Sequence, residues 1–122
     1  MLKVIGLAKR KPGMSFEDFC EYYRTKHAKV LGEPVMKRAG AVQYKRNYVV
    51  PASNLFHGEV EEADFDVVVE FGFPDRESFE KCFEITNEMR DEFIADEENF
   101  ADRDSIRMLM IVEEDESDMS AD

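Results

Sequence analysis

The chain lacks the residues and segments that mark several common classes of protein. It has no tryptophan and only two cysteines among 122 residues, Cys20 and Cys82, which lie far apart in the sequence. Two such cysteines give neither a disulfide framework nor zinc-ligand spacing, and we expect free thiols on the apolar sides of two helices. The sequence also has no apolar run of the roughly 18 residues that a membrane span needs, and no signal-peptide core. We therefore expect a soluble, cytoplasmic protein with no membrane partner.

Basic residues are scarce relative to acidic ones. The chain carries 16 Lys and Arg against 28 Asp and Glu, a formal net charge of −12. Binding to a phosphate backbone or an anionic bilayer requires a basic surface, so this balance excludes nucleic acid as a partner. The acids are concentrated toward the end of the chain, where residues 113–122 include six of them and no base. We expect one domain over residues 1–113 and an acidic, disordered tail over residues 114–122.

The periodicity of the apolar residues predicts strands over residues 2–9, 41–50, 65–73 and 106–112. A first helix begins at Ser15 and fades before Pro34, with a short helical turn over residues 35–38 that Gly40 ends. A second helix follows Pro74 and Asp75 and continues to Phe100, while residues 51–63 form a loop. The order strand, helix, strand, strand, helix, strand predicts an α+β, ferredoxin-like βαββαβ fold with a four-stranded antiparallel sheet.

Two helices cover only one face of such a sheet. The third strand is apolar on both sides, with Phe65, Val67 and Val69 on one face and Val68 on the other. Either a second copy of the chain buries the uncovered face, or that face remains mildly apolar and exposed. We expect a homodimer.

Among the residues of the chain, His27 gives the most information about function. It lies four residues after Tyr23 on the apolar stripe of the first helix, where an unpaired ring nitrogen would cost roughly 1–3 kcal/mol. Two interpretations follow: a core histidine bonded to a backbone carbonyl or carboxylate, or a general acid or base facing a cavity. Imidazole exchanges protons near neutral pH, which suits it to the second role.

Three further residues have a possible place in that chemistry. Tyr44 on the facing strand and Tyr23 have hydroxyls that can donate hydrogen bonds to a developing enolate or phenolate oxygen, or they simply pack as aromatic rings. Asp96 either orients the imidazole in one tautomer or pairs with Arg103 or Arg107. Tyr44 and Asp96 are thus candidate catalytic residues beside His27.

The expected substrate-binding residues are large apolar or aromatic side chains near the same helices and strands. They are Phe16 and Phe100 on the helices, Tyr23 beside His27, Met108 on the last strand, and His57 in the loop, which is either a surface residue or part of a lid over the pocket. Met108 and Met110 alternate on the last strand and make no cofactor site, and the cysteines lack zinc-ligand spacing.

Several motifs, in order, resemble the EthD domain family of the dimeric α/β barrel group. They are the string from Lys9 to Phe19, Tyr22-Tyr23, Lys26-His27-Ala28, the run from Gly40 to Tyr44, the strand from Asp66 to Phe73, Ala95-Asp96-Glu97 and Asn99-Phe100. Together they span nearly all of residues 2–113. Departures from the family pattern are Tyr23, where tryptophan is frequent, and the absence of the usual Gly and Trp around residues 66–70.

The resemblance implies a ferredoxin-like monomer whose sheet pairs with that of a second copy to form a barrel. His27 would point into a pocket between the sheet and its own helices. Related proteins include muconolactone-type isomerases and fungal polyketide dehydratases and decarboxylases, which need no metal or organic cofactor. We therefore expect a cofactor-independent lyase or isomerase of the dehydratase, decarboxylase, cyclase or lactone isomerase type. Its substrate would be a small hydrophobic cyclic or aromatic carbonyl compound.

Two alternatives come from other functional classes. The first is a monooxygenase of the same superfamily, cofactor-free or haem-linked, that oxidises a phenol or quinol. The second is a non-catalytic dimer that binds a hydrophobic metabolite and would keep its function if His27 were replaced by Gln.

Overall fold

A computed structural model describes residues 1–52 and 63–120 of the chain. The strands are β1 (Leu2–Arg10), β2 (Gln43–Tyr48), β3 (Val67–Phe73) and β4 (Ala101–Met110). The first helical region consists of α1 (Phe16–Tyr22), a π-helical segment (Tyr23–Gly32) and α2 (Glu33–Ala39), and the second consists of α3 (Arg76–Glu88) and α4 (Arg90–Phe100). None of these helices is long and apolar enough to cross a membrane. The order of elements confirms the predicted βαββαβ sequence.

The four strands form one antiparallel sheet in the order β2-β3-β1-β4. This arrangement is the ferredoxin-like fold that the periodicity predicted. The helices pack on the face of the sheet that carries Val67, Val69 and Phe73 of β3 together with Val4 and Ala8 of β1, all of them buried. The core therefore lies between one face of the sheet and the helices.

The first helical region begins as predicted and continues further than predicted. The Ser15 hydroxyl accepts a hydrogen bond from the Asp18 backbone N–H at 3.0 Å, which caps α1. The expectation that the helix fades before Pro34 is wrong, because Pro34 lies in the first turn of α2, where its missing N–H breaks little of the hydrogen-bond pattern. Gly40 ends the region with a φ of 82°, the left-handed conformation that favours glycine.

The second helical region is divided where the sequence predicted one continuous helix. The Asp75 carboxylate caps α3 by accepting a hydrogen bond from the Ser78 N–H at 2.8 Å. At Met89 the backbone leaves the helical conformation, with φ −102° and ψ 23°, and α4 begins at the next residue. Met89 and Phe93 both pack against the same core cluster, so the break retains the apolar stripe and leaves no trace in the hydrophobic pattern.

Strand β4 starts at Ala101, five residues before the predicted start, and ends at Met110. Its first part pairs Lys9 with Asp102 and Arg10 with Ala101, beyond an irregularity in the β1–β4 register. At that irregularity the Ser105 hydroxyl accepts a hydrogen bond from the Lys9 N–H at 2.8 Å. Residues 102–105 are polar, so the apolar pattern of the sequence did not indicate this part of the strand. Residues 111–118, which follow β4, form neither helix nor strand.

The second face of the sheet, here called the outer face, carries the residues that alternate with the buried ones. The strand register places Ile5 beside Glu70 and Leu109, and Leu7 beside Val68. Ile5, Leu7 and Val68 are half-buried and Leu109 is 53% exposed. The outer face thus has an apolar centre.

Candidate active site

A cavity of about 310 Å³ lies between the sheet and the helices. Its lining includes residues of both core clusters, such as Tyr23 and Phe100 from one and Phe73 and Cys82 from the other. Phe83 on α3 and Met108 on β4 also line it and are 65% and 58% exposed, so the mouth of the cavity lies between these two elements. The volume and the apolar walls are typical of a small-molecule site.

His27 lines this cavity and comes from the middle of the π-helical segment. Its ring packs edge-on against Tyr23, with centroids 4.7 Å apart, and lies 5.0 Å from the Phe100 ring. Stretches of π-helix are rare and frequently occur at functional sites. The side chain of His27 is 12% exposed, so the imidazole works in surroundings that largely exclude water.

Asp96 on α4 holds the imidazole in one orientation. Its Oδ2 lies 2.7 Å from His27 Nδ1, and its side chain is only 15% exposed. Burial raises the pKa of the Asp96 carboxyl, but the hydrogen bonds from His27 and Tyr22 outweigh it and leave the pKa below its ordinary value. The ionised carboxylate can only accept, so neutral His27 carries its proton on Nδ1. Nε2, which makes no hydrogen bond within the described residues, then has its lone pair free.

Two residues that the sequence analysis did not assign complete this cluster. The Tyr22 hydroxyl donates to Asp96 Oδ1 at 2.6 Å, and Asn99 Nδ2 donates to the Tyr22 hydroxyl at 3.1 Å. The Tyr22 ring stacks on Phe100 with centroids 5.2 Å apart. Asp96 and Asn99 are three residues apart and so share a face of α4, which is a signal for Asn99 in the sequence. No comparable signal marks Tyr22, because five residues separate it from His27 and only the wider π-helical turn brings both to Asp96.

Tyr23 and Tyr44 line the cavity with their phenol groups. Burial raises the pKa of Tyr44 to about 12, although the nearby Arg46 guanidinium partly opposes the shift. Burial also raises the pKa of Tyr23, and the neighbouring Tyr44 and Tyr48 add to the effect. Both phenols are therefore neutral at physiological pH. The Tyr23 hydroxyl donates a hydrogen bond to the Tyr44 oxygen, which leaves the Tyr44 hydroxyl able to donate to a ligand oxygen.

Gly32, at the end of the π-helical segment, determines where the Tyr44 hydroxyl lies. A Cβ at this position would overlap the Tyr44 hydroxyl and approach Tyr44 Cζ to 2.9 Å. The glycine thus lets the phenol approach the helix backbone closely. This requirement for glycine comes from a contact between distant parts of the chain and could not be read from the local sequence.

The remaining predicted residues divide into those at the cavity and those outside it. Phe100 and Met108 line the cavity, whereas the lining does not include Phe16, the first residue of α1. His57 lies outside the described residues. Thr86, Cys82 and Glu97 line the cavity and had no assigned role.

The two arginines near the tyrosines stack on aromatic rings. Arg46 Cζ lies 4.7 Å from the centre of the Tyr44 ring, and Arg24 Cζ lies 5.3 Å from the centre of the Tyr48 ring. Within residues 1–52 and 63–120, no group of three or more His, Cys, Asp or Glu side chains is positioned to hold a metal ion.

The hydrogen bond to Asp96 predicts a definite tautomer for His27. In a His57→Gln background, ¹⁵N NMR at about pH 8 should show His27 protonated at Nδ1 and unprotonated at Nε2. Replacing Asp96 with Asn should raise the population protonated at Nε2, because the amide no longer requires a donor at Nδ1. Glu98→Gln, the same chemical change at an exposed position of α4, should leave the spectrum unchanged. A parent protein protonated mainly at Nε2 would contradict the assignment.

The contact between Gly32 and Tyr44 predicts opposite effects of one substitution in two backgrounds. With Tyr44 present, Gly32→Ala should lower the free energy of unfolding by about 1–3 kcal/mol, because the new methyl group overlaps the phenol. With Tyr44→Ala, the same substitution should stabilise the protein by about 0.5–1 kcal/mol, because alanine suits a helical backbone better than glycine. Urea denaturation of the four proteins measures both effects. Equal effects in the two backgrounds would exclude the steric explanation.

The chain is similar to a known protein family. A search of curated proteins found no match. A family model described as EthD domain matches residues 11–104, a range that includes the capped start of α1, His27, Tyr44 and Asp96. Because the matched range covers most of the sequence, the chain belongs to the EthD domain family.

Proposed function

We propose that the protein is a cofactor-independent lyase or isomerase that transfers a proton on a small hydrophobic cyclic or aromatic carbonyl compound. The observation that carries the proposal is the 2.7 Å contact between His27 Nδ1 and Asp96 Oδ2, with the imidazole lining an apolar cavity. A histidine oriented by a carboxylate beside a ligand-sized space is the usual arrangement of a general base.

His27 Nε2 would remove a proton from a carbon next to the carbonyl group. The imidazolium that forms remains hydrogen-bonded to the Asp96 carboxylate, which offsets its charge. Returning the proton to another carbon isomerises the substrate, and returning it to a departing hydroxyl group completes a dehydration. Both reactions use one histidine and need no external acid.

Tyr44 would stabilise the enolate or phenolate oxygen as negative charge develops, and Tyr23 would hold the Tyr44 hydroxyl in place. Both phenols are neutral at the cavity wall because burial holds their pKa values above the ordinary range, and Tyr23 donates its hydrogen bond to Tyr44. Donors that are already oriented in a dry site stabilise such an oxygen better than water does. Gly32 supports this role because its lack of a Cβ allows the Tyr44 hydroxyl to occupy its position.

We also propose that a second copy of the chain covers the outer face of the sheet. Ile5, Leu7, Val68 and Leu109 form its apolar centre, and the helices pack on the opposite face. An exposed apolar surface on a four-stranded sheet is a common dimer interface. The family resemblance, which implies a dimeric barrel, supports the same arrangement.

Hydrogen–deuterium exchange tests proton transfer without knowledge of the natural substrate. Purified protein in D₂O should accelerate exchange at the carbon next to the carbonyl of compact aromatic ketones such as 1-tetralone and 2-tetralone, followed by proton NMR. His27→Gln should reduce the rate by about 10²–10⁴-fold, the usual contribution of a general base.

The matched control is Lys26→Gln, which changes the adjacent, exposed residue and should retain the full exchange rate. Exchange that persists in His27→Gln would refute the role of this residue. Ligand binding with no exchange by the unmodified protein would favour the non-catalytic, metabolite-binding alternative.

The dimer proposal predicts that a new charge in the apolar part of the outer face separates the two copies. Sedimentation equilibrium should give a dimeric mass for the unmodified protein and a monomeric mass for Leu109→Asp, because an unpaired carboxylate is costly to bury at an interface. Met119→Asp, which adds the same charge at a residue 88% exposed, should remain dimeric. A monomeric unmodified protein at micromolar concentration would refute the proposal.

A further inference from the structure

Most charged side chains around the cavity are negative or paired with a group of opposite charge. Glu97 is the one acidic residue in the described lining, which contains neither Lys nor Arg. Its carboxylate lies 3.3 Å from Arg103 Nε, and its side chain is 22% exposed. The ion pair neutralises Glu97 in part and adds no free positive charge to the cavity wall.

The catalytic pair adds no net positive charge in either of its states. With neutral His27, the pair carries the single negative charge of Asp96. With protonated His27, the imidazolium and the carboxylate 2.7 Å away cancel. A ligand carboxylate therefore finds no unneutralised cation at His27.

The two arginines beside the tyrosines lie outside the cavity lining. Arg46 and Arg24 stack over the rings of Tyr44 and Tyr48 instead. Residues 53–62, outside the described part of the chain, contain three glutamates and no Lys or Arg in their sequence. They too can supply no permanent positive charge.

The volume and the aromatic walls of the cavity indicate the size and shape of the ligand. A volume of about 310 Å³ lies at the lower end of the roughly 300–1,000 Å³ usual for small-molecule sites, which suits one or two fused rings. Many of the lining residues are aromatic: Tyr23, Tyr44, Phe71, Phe73, Phe79, Phe83, Phe93 and Phe100. Flat rings pack well against such walls.

We propose that the cavity selects an uncharged one- or two-ring phenol or aromatic ketone and rejects the same molecule bearing a carboxylate. The inference rests on the proposed function and narrows it. A carboxylate would lose part of its hydration and gain no Lys or Arg partner among the described lining residues, a combination that protein interiors strongly disfavour. Among the reactions of the proposed class, decarboxylation of a carboxylate and isomerisation of a carboxylated lactone are therefore excluded. Dehydration, cyclisation and isomerisation of neutral substrates remain.

Calorimetric titration with three naphthols of matched shape tests the selection by charge. The probes are 2-naphthol, 6-hydroxy-2-naphthamide and 6-hydroxy-2-naphthoate, of which the last two have nearly the same size and differ in charge. We expect 2-naphthol and the amide to bind and the carboxylate to bind about 100-fold more weakly than the amide. Binding of the carboxylate within about tenfold of the amide, or no binding of either neutral compound, would overturn the proposal.

Glu97→Gln then tests which group sets the preference. The substitution removes the negative charge at the cavity wall and leaves Arg103 unpaired, so the affinity for the carboxylate should rise about tenfold relative to the affinity for the amide. Glu98→Gln, the same change at an exposed neighbouring residue, should alter neither affinity. An unchanged affinity for the carboxylate in Glu97→Gln would refute the role of this residue.

Binding and exchange separate the failure of this inference from that of the proposed function. Selective binding of the neutral ligands without any proton exchange would leave the selection by charge intact and refute the catalysis. Exchange on carboxylated ketones as fast as on neutral ones would support the catalysis and refute the selection by charge.

Discussion

The hydrogen bond between His27 and Asp96 is the contact on which the rest of the site depends. It joins the π-helical segment to α4, two parts of the chain 69 residues apart, across the end of the core. Both side chains are largely shielded from water, so each requires the other. The same contact thus fixes the packing of the two helical regions and the chemical state of the histidine.

Support for this contact comes from a layer of aromatic rings and amides around it. Tyr22 satisfies the second oxygen of Asp96, Asn99 satisfies Tyr22, and Phe100 packs against both Tyr22 and His27. A carboxylate with two donors at 2.6 and 2.7 Å is restricted in rotation. The low-polarity walls strengthen these interactions because water does not screen them. The same packing therefore holds the polar end of the cavity rigid and leaves the rest of the cavity wall apolar.

Hydrophobic periodicity was sufficient to predict the order of elements and the presence of His27 on a buried helix face. It was sufficient because the central strands bury alternate residues, as β1 does with Val4, Gly6 and Ala8, and the helices bury residues at helical spacing, as α3 does with Cys82 and Ile85. The prediction missed features that depend on three-dimensional contacts. Met89 breaks the second helix without interrupting its stripe, and the polar start of β4 pairs with β1 through backbone hydrogen bonds.

The residues of the candidate site likewise include some that the sequence pattern could predict and some that it could not. His27, Tyr23 and Tyr44 could be proposed because each has an unusual side chain on an apolar face, and Asp96 because carboxylates commonly partner histidines. Tyr22 and Gly32 could not, because their roles arise from the wide turn of the π-helical segment and from a close approach to a distant strand. Phe16 illustrates the reverse case: it lies on the apolar stripe near the start of α1 and yet does not line the cavity.

The break at Met89 places the mouth of the cavity and its polar end on different helices. Phe83, at the cavity mouth, belongs to α3, whereas Asp96 belongs to α4. The side chain at the entrance and the carboxylate that orients the imidazole are thus separated by a non-helical residue. A change of side chain at position 83 can therefore alter which ligands enter while the contact between Asp96 and His27 stays as it is.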